Sequence, residues 1–344
     1  MKIVLCYPVE KRHYDQICET AGSDVEVIDA GQERIAEEIF NADIYCGHAK
    51  VPVDWEGVVK QGRLKWIQSS AAGMDHCLVP PVIHSDIVVC SASGVLAEQV
   101  GEHTIALLTA WTRSLSVFFR AQEKREFIRR PTRDLTETTV GIVGFGGNGR
   151  RLAQMLTAFD CRILATDMFP VDKPDYVDEL WPADRLEEML SQVDFLVLGI
   201  PLNDATRGMF NAPMFAKMKP GSVFANMARG GIVVHDALVE TLRSGHLGGA
   251  VLDVTDPEPL PVESPLWAMP QVIITPHVGG QCVRRIDNMT HLFCENLRRR
   301  RDRRPLINRL TDLNLGFPVR GGDVPIWQGV KSLAPADSGL DSPG

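Results

Sequence analysis

Short apolar segments alternate with helical segments along most of this chain. One series of strand-like segments covers residues 3–6, 25–28, 44–46, 65–68 and 87–90, and a second covers 140–144, 163–165, 195–199, 223–226, 250–253 and 272–275. Strands that alternate with helices form parallel sheets from right-handed βαβ units. Segments made almost entirely of Val, Ile, Leu, Phe and Ala, as in most of the second series, are typical of strands buried on both faces. The sequence therefore predicts an α/β protein with two parallel sheets.

A single long helical pattern over about residues 97–127 separates the two series. The 344 residues are enough for two domains at roughly 150 residues each. Another helix is expected over 283–300. The end of the chain is rich in Gly, Pro, Ser and Asp and is expected to be flexible. Two α/β domains separated by a long helix favour a ligand cleft between them.

A glycine-rich loop follows the first strand of the second series. The segment TVGIVGFGGNGRR contains Gly144, Gly146 and Gly149 in the spacing G-x-G-x-x-G, and a helix is expected over 150–158. The first glycine permits a tight turn, the second lets a pyrophosphate approach the backbone, and the third lets the helix pack on the strand. The helix N-terminus offers N–H groups and a positive dipole to phosphates. The loop therefore predicts a dinucleotide-binding site.

Asp167 ends the next strand, CRILATD, eighteen residues after Gly149. A carboxylate at this position accepts hydrogen bonds from the ribose hydroxyls of an adenosine and repels a 2′-phosphate. Asp167 therefore predicts that the cofactor is NAD (NADH) rather than NADP.

Three charged side chains follow later strands of the second series. Arg229 lies in NMARGGI, Glu258 in LDVTDPEPL and His277 in TPHVGG. Ligands of open parallel sheets gather beyond the carboxyl ends of the strands, so these side chains are expected to meet around one substrate. Considered singly, each also fits a structural role: a surface ion pair, a solvated turn and one of nine histidines.

With these features the chain resembles the D-isomer-specific 2-hydroxyacid dehydrogenase family. The resemblance extends to about residue 310 and is densest between Val140 and Gly280, through GIVGFGGNG, PLNDATRGMFN, MKPGSVFANMARGGIV, DALVETLRSGHLGGAVLDVTDPEPLP, SPLW and VIITPHVGG. An ordered series of this kind is highly specific. One departure lies in the pyrophosphate loop, where the family commonly carries Arg-Ile and this chain has Gly147-Asn148.

The resemblance implies a fold and a domain arrangement. Two doubly wound parallel-sheet domains are expected. A Rossmann NAD-binding domain over residues 107–289 is inserted into a flavodoxin-like substrate domain formed by residues 1–106 and 290–344. The long helix and its neighbours are expected to form the interface of a homodimer.

The resemblance also implies a reaction, the NAD-dependent interconversion of a small 2-oxo acid and its D-2-hydroxy acid by hydride transfer. In the family, the matching arginine binds the substrate carboxylate and carbonyl, the histidine moves the proton and the glutamate orients the histidine. The resemblance therefore implies these catalytic roles for Arg229, His277 and Glu258. The loop SAAGMD matches the family loop whose backbone amides hold the substrate carboxylate, here near Ala72 and Gly73.

Cofactor contacts implied by the family extend beyond the glycine loop. Val100 matches a position that touches the nicotinamide, and Asp253 one that binds its carboxamide. The complete set of implied cofactor-binding residues is Val100, Gly144, Gly146, Gly147, Asn148, Gly149, Asp167, Pro201, Thr206, Met227, Ala228, Asp253, His277 and Gly279. No metal is expected.

Glyoxylate or hydroxypyruvate is the expected substrate, and 3-phosphoglycerate or another 2-hydroxy acid is the alternative. His48 and Lys50 lie in a loop that suits a polar or phosphorylated side chain. An alternative of another class is an NAD-sensing, corepressor-like binding protein, since this fold also serves transcriptional corepressors. Turnover of 2-oxo acids with NADH distinguishes the enzyme from the binding protein.

Composition limits the other partners. Lys plus Arg number 36 against 44 Asp plus Glu, a net charge of −8, which disfavours nucleic acid. The run Arg298–Arg304 is interpreted as a solvated helix end. No apolar segment approaches the roughly 18 residues of a membrane span. Eight scattered cysteines without a C-x-x-C motif, and a first segment unlike a signal peptide, favour reduced thiols in the cytoplasm.

Overall fold

The computed structural model describes residues 1–170, 172–320 and 323–329. These residues divide into two compact units, one formed by Met1–Leu96 together with the chain from Val283 onward, the other by Ala97–Cys282. The first unit is therefore discontinuous in sequence. Its limits, Leu96 and Val283, lie ten and seven residues before the limits of 106 and 290 predicted for the substrate domain, and the functional domain boundaries remain a prediction.

Strands and helices alternate along both units. In the described residues the strands are β1 (Lys2–Cys6), β2 (Glu26–Asp29), β3 (Ile44–Gly47), β4 (Trp66–Ser69), β5 (Val88–Cys90), β6 (Thr139–Val143), β7 (Arg162–Asp167), β8 (Glu179–Pro182), β9 (Phe195–Leu198), β10 (Val223–Asn226), β11 (Gly249–Leu252) and β12 (Val272–Ile274). The helices are α1 (Lys11–Ala21), α2 (Gly31–Glu38), α3 (Trp55–Gln61), α4 (Pro80–Ile83), α5 (Ala97–Thr112), α6 (Leu115–Glu123), α7 (Gly147–Leu156), α8 (Leu186–Leu190), α9 (Ala212–Ala216), α10 (His235–Arg243) and α11 (Arg285–Arg301).

The described strands of the first unit form a parallel sheet in the order β2-β1-β3-β4-β5. Side chains of a strand alternate between the two faces of its sheet. Ile3 and Leu5 of β1 therefore pack with Phe293 of α11 in one core, whereas Val4 packs with Ile35 of α2 in another. This strand order and the helices on both faces are those of a flavodoxin-like, doubly wound fold.

The described strands of the second unit form a parallel sheet in the order β12-β11-β10-β9-β6-β7-β8. Strands β6 to β11 follow the Rossmann order, in which the chain reverses its direction of winding between β6 and β9. Ile142 and Val143, neighbours in β6, belong to different cores, so this sheet is also buried on both faces. The predicted fold class, two doubly wound α/β sheets, is confirmed.

The prediction of one long helix over residues 97–127 is wrong. The chain forms α5 and α6, separated by Ser114, whose φ of 56° lies in the left-handed region. The hydroxyls of Thr109 and Thr112 donate to backbone carbonyls one turn earlier in α5. Such bonds compete with the helical pattern and favour a helix end. Periodicity alone does not show the break, because both helices keep an apolar face.

Element limits otherwise agree with the sequence to within one or two residues for the predicted strands. β8 was not predicted, because its sequence ELWP has no apolar run. α7 begins at Gly147, three residues before the expected start. The chain end predicted to be flexible includes residues 330–344, which lie outside the described residues. In the described part of the chain, no helix is both long and apolar enough to span a membrane.

Candidate active site

The loops that follow β10, β11 and β12 lie at one edge of the second sheet. β11 pairs in parallel with β10 on one side and with β12 on the other, so the three carboxyl ends share that edge. Arg229 comes three residues after β10, Glu258 six after β11 and His277 three after β12. The three residues predicted to be catalytic are therefore presented from neighbouring strands.

Glu258 and His277 are joined by a hydrogen bond, with Oε1 lying 2.7 Å from Nδ1. An ionised carboxylate can only accept, so Nδ1 carries a proton and Nε2 is left to exchange one with a ligand. Both side chains are about half exposed, 45% for His277 and 43% for Glu258. The pair is therefore accessible to a ligand from solvent.

His277 is held in the left-handed region, with a φ of 54°. Its backbone N–H donates to the carbonyl oxygen of Asp253 at 2.8 Å. The carboxylate of Asp253, which is only 4% exposed, accepts from the Thr275 hydroxyl and from the backbone N–H groups of Val278 and Gly279. The loop 275–279 is thus wrapped around one buried carboxylate, which fixes the backbone of His277.

Arg229 is placed by a side chain at the end of β10. The buried Asn226 donates through Nδ2 to the carbonyl of Arg229 at 2.9 Å and accepts at Oδ1 from the N–H of Ala228 at 3.0 Å. The guanidinium of Arg229 donates to the carbonyl of Ala228 at 2.8 Å. These bonds hold the turn 226–229, which also contains the predicted cofactor residue Met227.

The glycine loop has the local geometry that a dinucleotide requires. Gly144 has a φ of 94°, which disfavours other residues, and a Cβ at Gly149 would collide with the Gly144 carbonyl oxygen. Gly146 precedes the first turn of α7, in which Gly147 and Asn148 lie. The first N–H groups of a helix have no acceptor within it, so they are available to phosphate oxygens.

Asp167, the last residue of β7, is tied to the glycine loop. Its Oδ2 accepts from the backbone N–H of Phe145 at 2.6 Å, and its Oδ1 accepts from that of Phe169 at 2.9 Å. A carboxylate has about four acceptor positions, so ribose hydroxyls can still be bound. The side chain is therefore fixed in position beside the loop.

The remaining predicted cofactor residues are placed as follows. Thr206 donates through its hydroxyl to the carbonyl of Pro201 at 2.7 Å, which joins these two residues in the loop after β9. Val100 lies in the first turns of α5. Gly279 packs against the Asp253 carboxylate, because an added Cβ would lie 2.9 Å from Oδ2.

In the first unit, the predicted substrate loop follows β4. The N–H of Ala71 donates to the Ser69 hydroxyl at 3.0 Å, and its carbonyl accepts from the N–H of Ala92 at 3.0 Å. The next residues, Ala72 and Gly73, are exposed and half-exposed respectively.

Aromatic stacking joins the loop after β3 to the loop after β4. The ring of His48 stacks on that of His76, with centroids 4.0 Å apart and an interplanar angle of 21°. The sequence indicates His48 as a candidate for substrate contact but does not indicate His76. The position of His76, directly after SAAGMD, is the sequence feature that could have indicated it.

Two further residues near the predicted site were missed. Arg150 donates to the carbonyls of Phe145 and Asp172 at 3.2 and 2.8 Å, and its guanidinium lies 4.8 Å from the Phe145 ring centroid. It follows the Gly147-Asn148 pair that replaces the family's Arg-Ile. His103 contacts Asp253 and Thr275, and its spacing of three residues from Val100, one helical turn, could have indicated it.

Among residues 1–170, 172–320 and 323–329, no group of three or more His, Cys, Asp and Glu side chains is arranged to hold a metal ion.

One family model and several known proteins are similar to this chain. Residues 105–279 match the model described as D-isomer specific 2-hydroxyacid dehydrogenase, NAD binding domain. Human glyoxylate reductase/hydroxypyruvate reductase is 34% identical over 243 residues, which cover 68% of this chain and 73% of the human protein. The (S)-sulfolactate dehydrogenase of Chromohalobacter salexigens is 33% identical over 254 residues, 72% of this chain and 81% of that protein.

A solved structure is similar over nearly the whole chain. It is the NADPH-dependent glyoxylate/hydroxypyruvate reductase of Sinorhizobium meliloti in complex with NADP and sulfate. The TM-score is 0.77 at 27% sequence identity, with 92% of this chain and 99% of that chain covered.

The Rossmann sheet with its glycine loop defines a dinucleotide-binding oxidoreductase of the 2-hydroxyacid dehydrogenase class. On the family match and these relatives, the chain belongs to the D-isomer-specific 2-hydroxyacid dehydrogenase family. The predicted family, enzyme class and nicotinamide dinucleotide cofactor are confirmed.

Proposed function

We propose that this protein interconverts a small 2-oxo acid and its D-2-hydroxy acid with NAD(H). The hydrogen bond between His277 and Glu258 supports the proposal most directly. The two bonded side chains lie at the carboxyl edge of the sheet that also carries the glycine loop, within one compact unit, which supports an acid–base role for His277.

His277 supplies the proton in the reducing direction. Reduction of a 2-oxo acid puts negative charge on the carbonyl oxygen, and a positioned acid that gives it a proton accelerates the step by roughly 10²–10⁴-fold. Nε2 is the donor, because Nδ1 is bonded to Glu258 at 2.7 Å. Glu258 stabilises the imidazolium and keeps the ring in one orientation. In the oxidising direction the same Nε2 accepts the hydroxyl proton.

Arg229 binds the substrate carboxylate and polarises the carbonyl. Its planar guanidinium can form two parallel hydrogen bonds to a carboxylate, which an ammonium cannot do. The Asn226 side chain holds the backbone of Arg229 in place for this contact. The family resemblance also assigns the backbone amides near Ala72 and Gly73 to substrate binding.

The described residues of the second unit fit a nicotinamide dinucleotide. The amides at the start of α7 would hold the pyrophosphate, the Asp253 carboxylate would accept from the carboxamide, and Val100 would contact the nicotinamide, as the family resemblance implies. When bound, the nicotinamide supplies or accepts the hydride. The domain assignment follows: residues 107–289 bind the cofactor, and residues 1–106 with 290–344 bind the substrate, which the family match over 105–279 supports.

The cofactor is NAD in preference to NADP. Asp167 is fixed beside the glycine loop by the N–H groups of Phe145 and Phe169, so its negative charge faces the ribose position. A 2′-phosphate would be repelled there and would replace a hydroxyl donor. The S. meliloti neighbour is named NADPH-dependent, so Asp167 is the feature that supports a different preference in this chain.

Glyoxylate or hydroxypyruvate is the proposed substrate. Human and S. meliloti relatives carry glyoxylate and hydroxypyruvate reductase in their names. The stacked His48 and His76 beside the Ser69–Gly73 segment suit a small polar substituent such as the hydroxymethyl group of hydroxypyruvate. With Lys50 they also suit an anionic side chain, so 3-phosphoglycerate and sulfolactate belong in the same test.

A homodimer in the cytoplasm is proposed for the assembled protein. Phe119 of α6 is 59% exposed, and Phe127 and Ile128, just beyond it, are 90% and 44% exposed. Exposed apolar side chains this close together in the sequence are candidates for a protein interface. The described cysteines are free thiols, as expected in a reducing compartment. Light scattering should give twice the 38.0 kDa of one chain, and the mass of one chain at micromolar concentration would reject the dimer.

Steady-state turnover of a panel of 2-oxo acids with NADH and NADPH tests the reaction. Glyoxylate or hydroxypyruvate is expected to give the highest kcat/KM, with the D-hydroxy acid as product. A different best substrate would correct the substrate but keep the reaction. NADH binding without turnover of any 2-oxo acid would overturn the proposal and favour the corepressor-like alternative.

A further inference from the structure

His103 reaches the predicted nicotinamide site from a separate element. It lies in α5, and its Nε2 is 2.9 Å from the Thr275 hydroxyl oxygen and 3.3 Å from Asp253 Oδ1. Thr275 and Asp253 belong to the loops after β12 and β11. His103 therefore links these two loops to the helix that contains Val100.

The protons of this cluster can be placed. The Thr275 hydroxyl donates to Asp253 Oδ1 at 2.7 Å. A hydroxyl has a single proton, so the Thr275 oxygen must accept from His103 Nε2, which therefore carries a hydrogen. The direction of donation is fixed from His103 through Thr275 to Asp253.

The two oxygens of Asp253 are unequally engaged. Oδ1 accepts from the Thr275 hydroxyl and the Val278 N–H and faces His103 Nε2. Within the described residues, Oδ2 accepts from the Gly279 N–H alone. An acceptor position therefore remains on Oδ2 and not on Oδ1.

Close packing leaves this arrangement little freedom. A Cβ added at Gly279 would lie 2.9 Å from Asp253 Oδ2 and 3.3 Å from His103 Cδ2. The imidazole, the carboxylate and the Gly279 backbone are thus in mutual contact. Without the imidazole, the carboxylate could rotate part of the way about its Cβ–Cγ bond and turn the open acceptor position of Oδ2 away from the cofactor site.

We propose that His103 is a positioning residue for the nicotinamide carboxamide. It holds Asp253 so that Oδ2 presents its open acceptor position to the carboxamide N–H of the cofactor. The same carboxylate binds Val278 and Gly279, so the nicotinamide ring and the loop that carries His277 are set by one group. The inference rests on the proposed role of Asp253 and adds the residue that orients it.

Binding measurements with three probes test the role of His103. NADH carries the carboxamide, reduced 3-acetylpyridine adenine dinucleotide has a methyl ketone in its place, and ADP-ribose lacks the ring. Wild type is expected to bind NADH more tightly than the acetyl analogue. In His103→Leu the dissociation constant for NADH should rise roughly tenfold, as for the loss of a hydrogen bond to a charged group. The constants for the analogue and ADP-ribose should stay unchanged.

Three further variants separate positioning from folding. Thr275→Val removes the intermediate hydroxyl with little change of shape and should lose the NADH preference as His103→Leu does. His103→Gln keeps an N–H donor of similar reach and should retain most of it. His246→Leu, which removes an imidazole bonded to the Phe215 carbonyl elsewhere in the unit, is the matched control and should bind all three probes as wild type does.

The outcomes distinguish the inference from the function on which it rests. Unchanged NADH preference in both His103→Leu and Thr275→Val, or equal weakening of all three probes, would overturn the role of His103. Equal affinity of wild type for NADH and the acetyl analogue would contradict the proposal that Asp253 binds the carboxamide, and the inference about His103 would fail with it. Intact binding ratios without turnover of any 2-oxo acid would overturn the proposed reaction and leave the role of His103 standing.

Discussion

Glu258 Oε1 accepts a hydrogen bond from His277 Nδ1 at 2.7 Å, and this bond joins the segment that follows β11 to the loop that follows β12. Asp253, at the start of that segment, accepts the backbone N–H of His277 at 2.8 Å. One stretch of chain therefore fixes the backbone of the histidine and the side of its ring that carries the proton.

Replacement of His277 is expected to separate catalysis from cofactor binding. His277→Gln should lower kcat by roughly 10²–10⁴-fold, because the acid–base group is lost. The NADH dissociation constant should stay near the wild-type value, since the glycine loop and Asp167 are untouched. His277→Asn also removes the imidazole, but Asn tolerates the left-handed backbone well, so this variant controls for backbone strain and should lose kcat to a similar extent. Folded His277→Gln protein with near-normal turnover would contradict the mechanism.

Replacement of Arg229 by lysine keeps the charge and loses the planar fork. kcat/KM for the 2-oxo acid should fall by roughly 10–100-fold, mostly through KM, because a bidentate contact is reduced to a point charge. Steady-state kinetics over a range of substrate concentrations measures the split between kcat and KM. Arg243→Lys, on the exposed face of α10 where Arg243 pairs with Glu240, should have no effect. Equal kinetics in the Arg229→Lys and Arg243→Lys variants would contradict the proposal that Arg229 binds the substrate.

Asp167 is expected to decide the choice of cofactor. Asp167→Ser removes the charge that faces the ribose, so NADH binding should weaken by roughly 10-fold or more. The ratio of kcat/KM with NADH to that with NADPH should move toward one. Asp184→Ser, on an exposed 3₁₀ turn, serves as the control. Wild-type protein that uses NADPH better than NADH would show that the assignment of Asp167 is wrong.

The buried cysteines predict a loss of stability at high pH. Burial raises the pKa of Cys46 and Cys77 well above the usual value and that of Cys90 to about 12. Between the ordinary thiol pKa and these raised values, the unfolded chain has lost thiol protons that the folded chain retains. The free energy of unfolding should therefore fall as the pH rises above about 9, by about 1.4 kcal/mol per pH unit for each such thiol.

Urea unfolding at pH 7, 9 and 10 measures this decrease. A Cys90→Ala variant should show a shallower dependence on pH, although it is less stable at pH 7 because a cavity is formed. A pH dependence identical to that of wild type would show that the Cys90 thiol does not contribute.

The strands of both sheets could be predicted closely because their apolar segments are short, continuous and separated by turn-forming residues. The location of the residues that follow those strands, at one edge of the sheet, could be predicted as well, since parallel strands end at a common edge. Gly144 and Asp167 are examples in which local chemistry and position in the fold point to the same site.

Other features depend on contacts that no local pattern contains. The break at Ser114 arises from a left-handed residue between two helices that are both amphipathic. The edge strand β8 pairs only with β7 in the described sheet and is half exposed, so its sequence ELWP lacks the apolar signal of a buried strand. His103 acquires its role from Asp253 and Thr275, which lie 150 and 172 residues away along the chain.

The discontinuity of the first unit has a consequence for the order in which the protein folds during synthesis. β1 to β5 leave the ribosome early, yet the core on one face of their sheet is completed by Met289, Leu292 and Phe293 of α11. Residues 97–282, by contrast, contain all the described strands of their own sheet. During synthesis, the first segment therefore keeps part of one apolar face uncovered until α11 is translated, and by then residues 97–282 are already complete and able to fold.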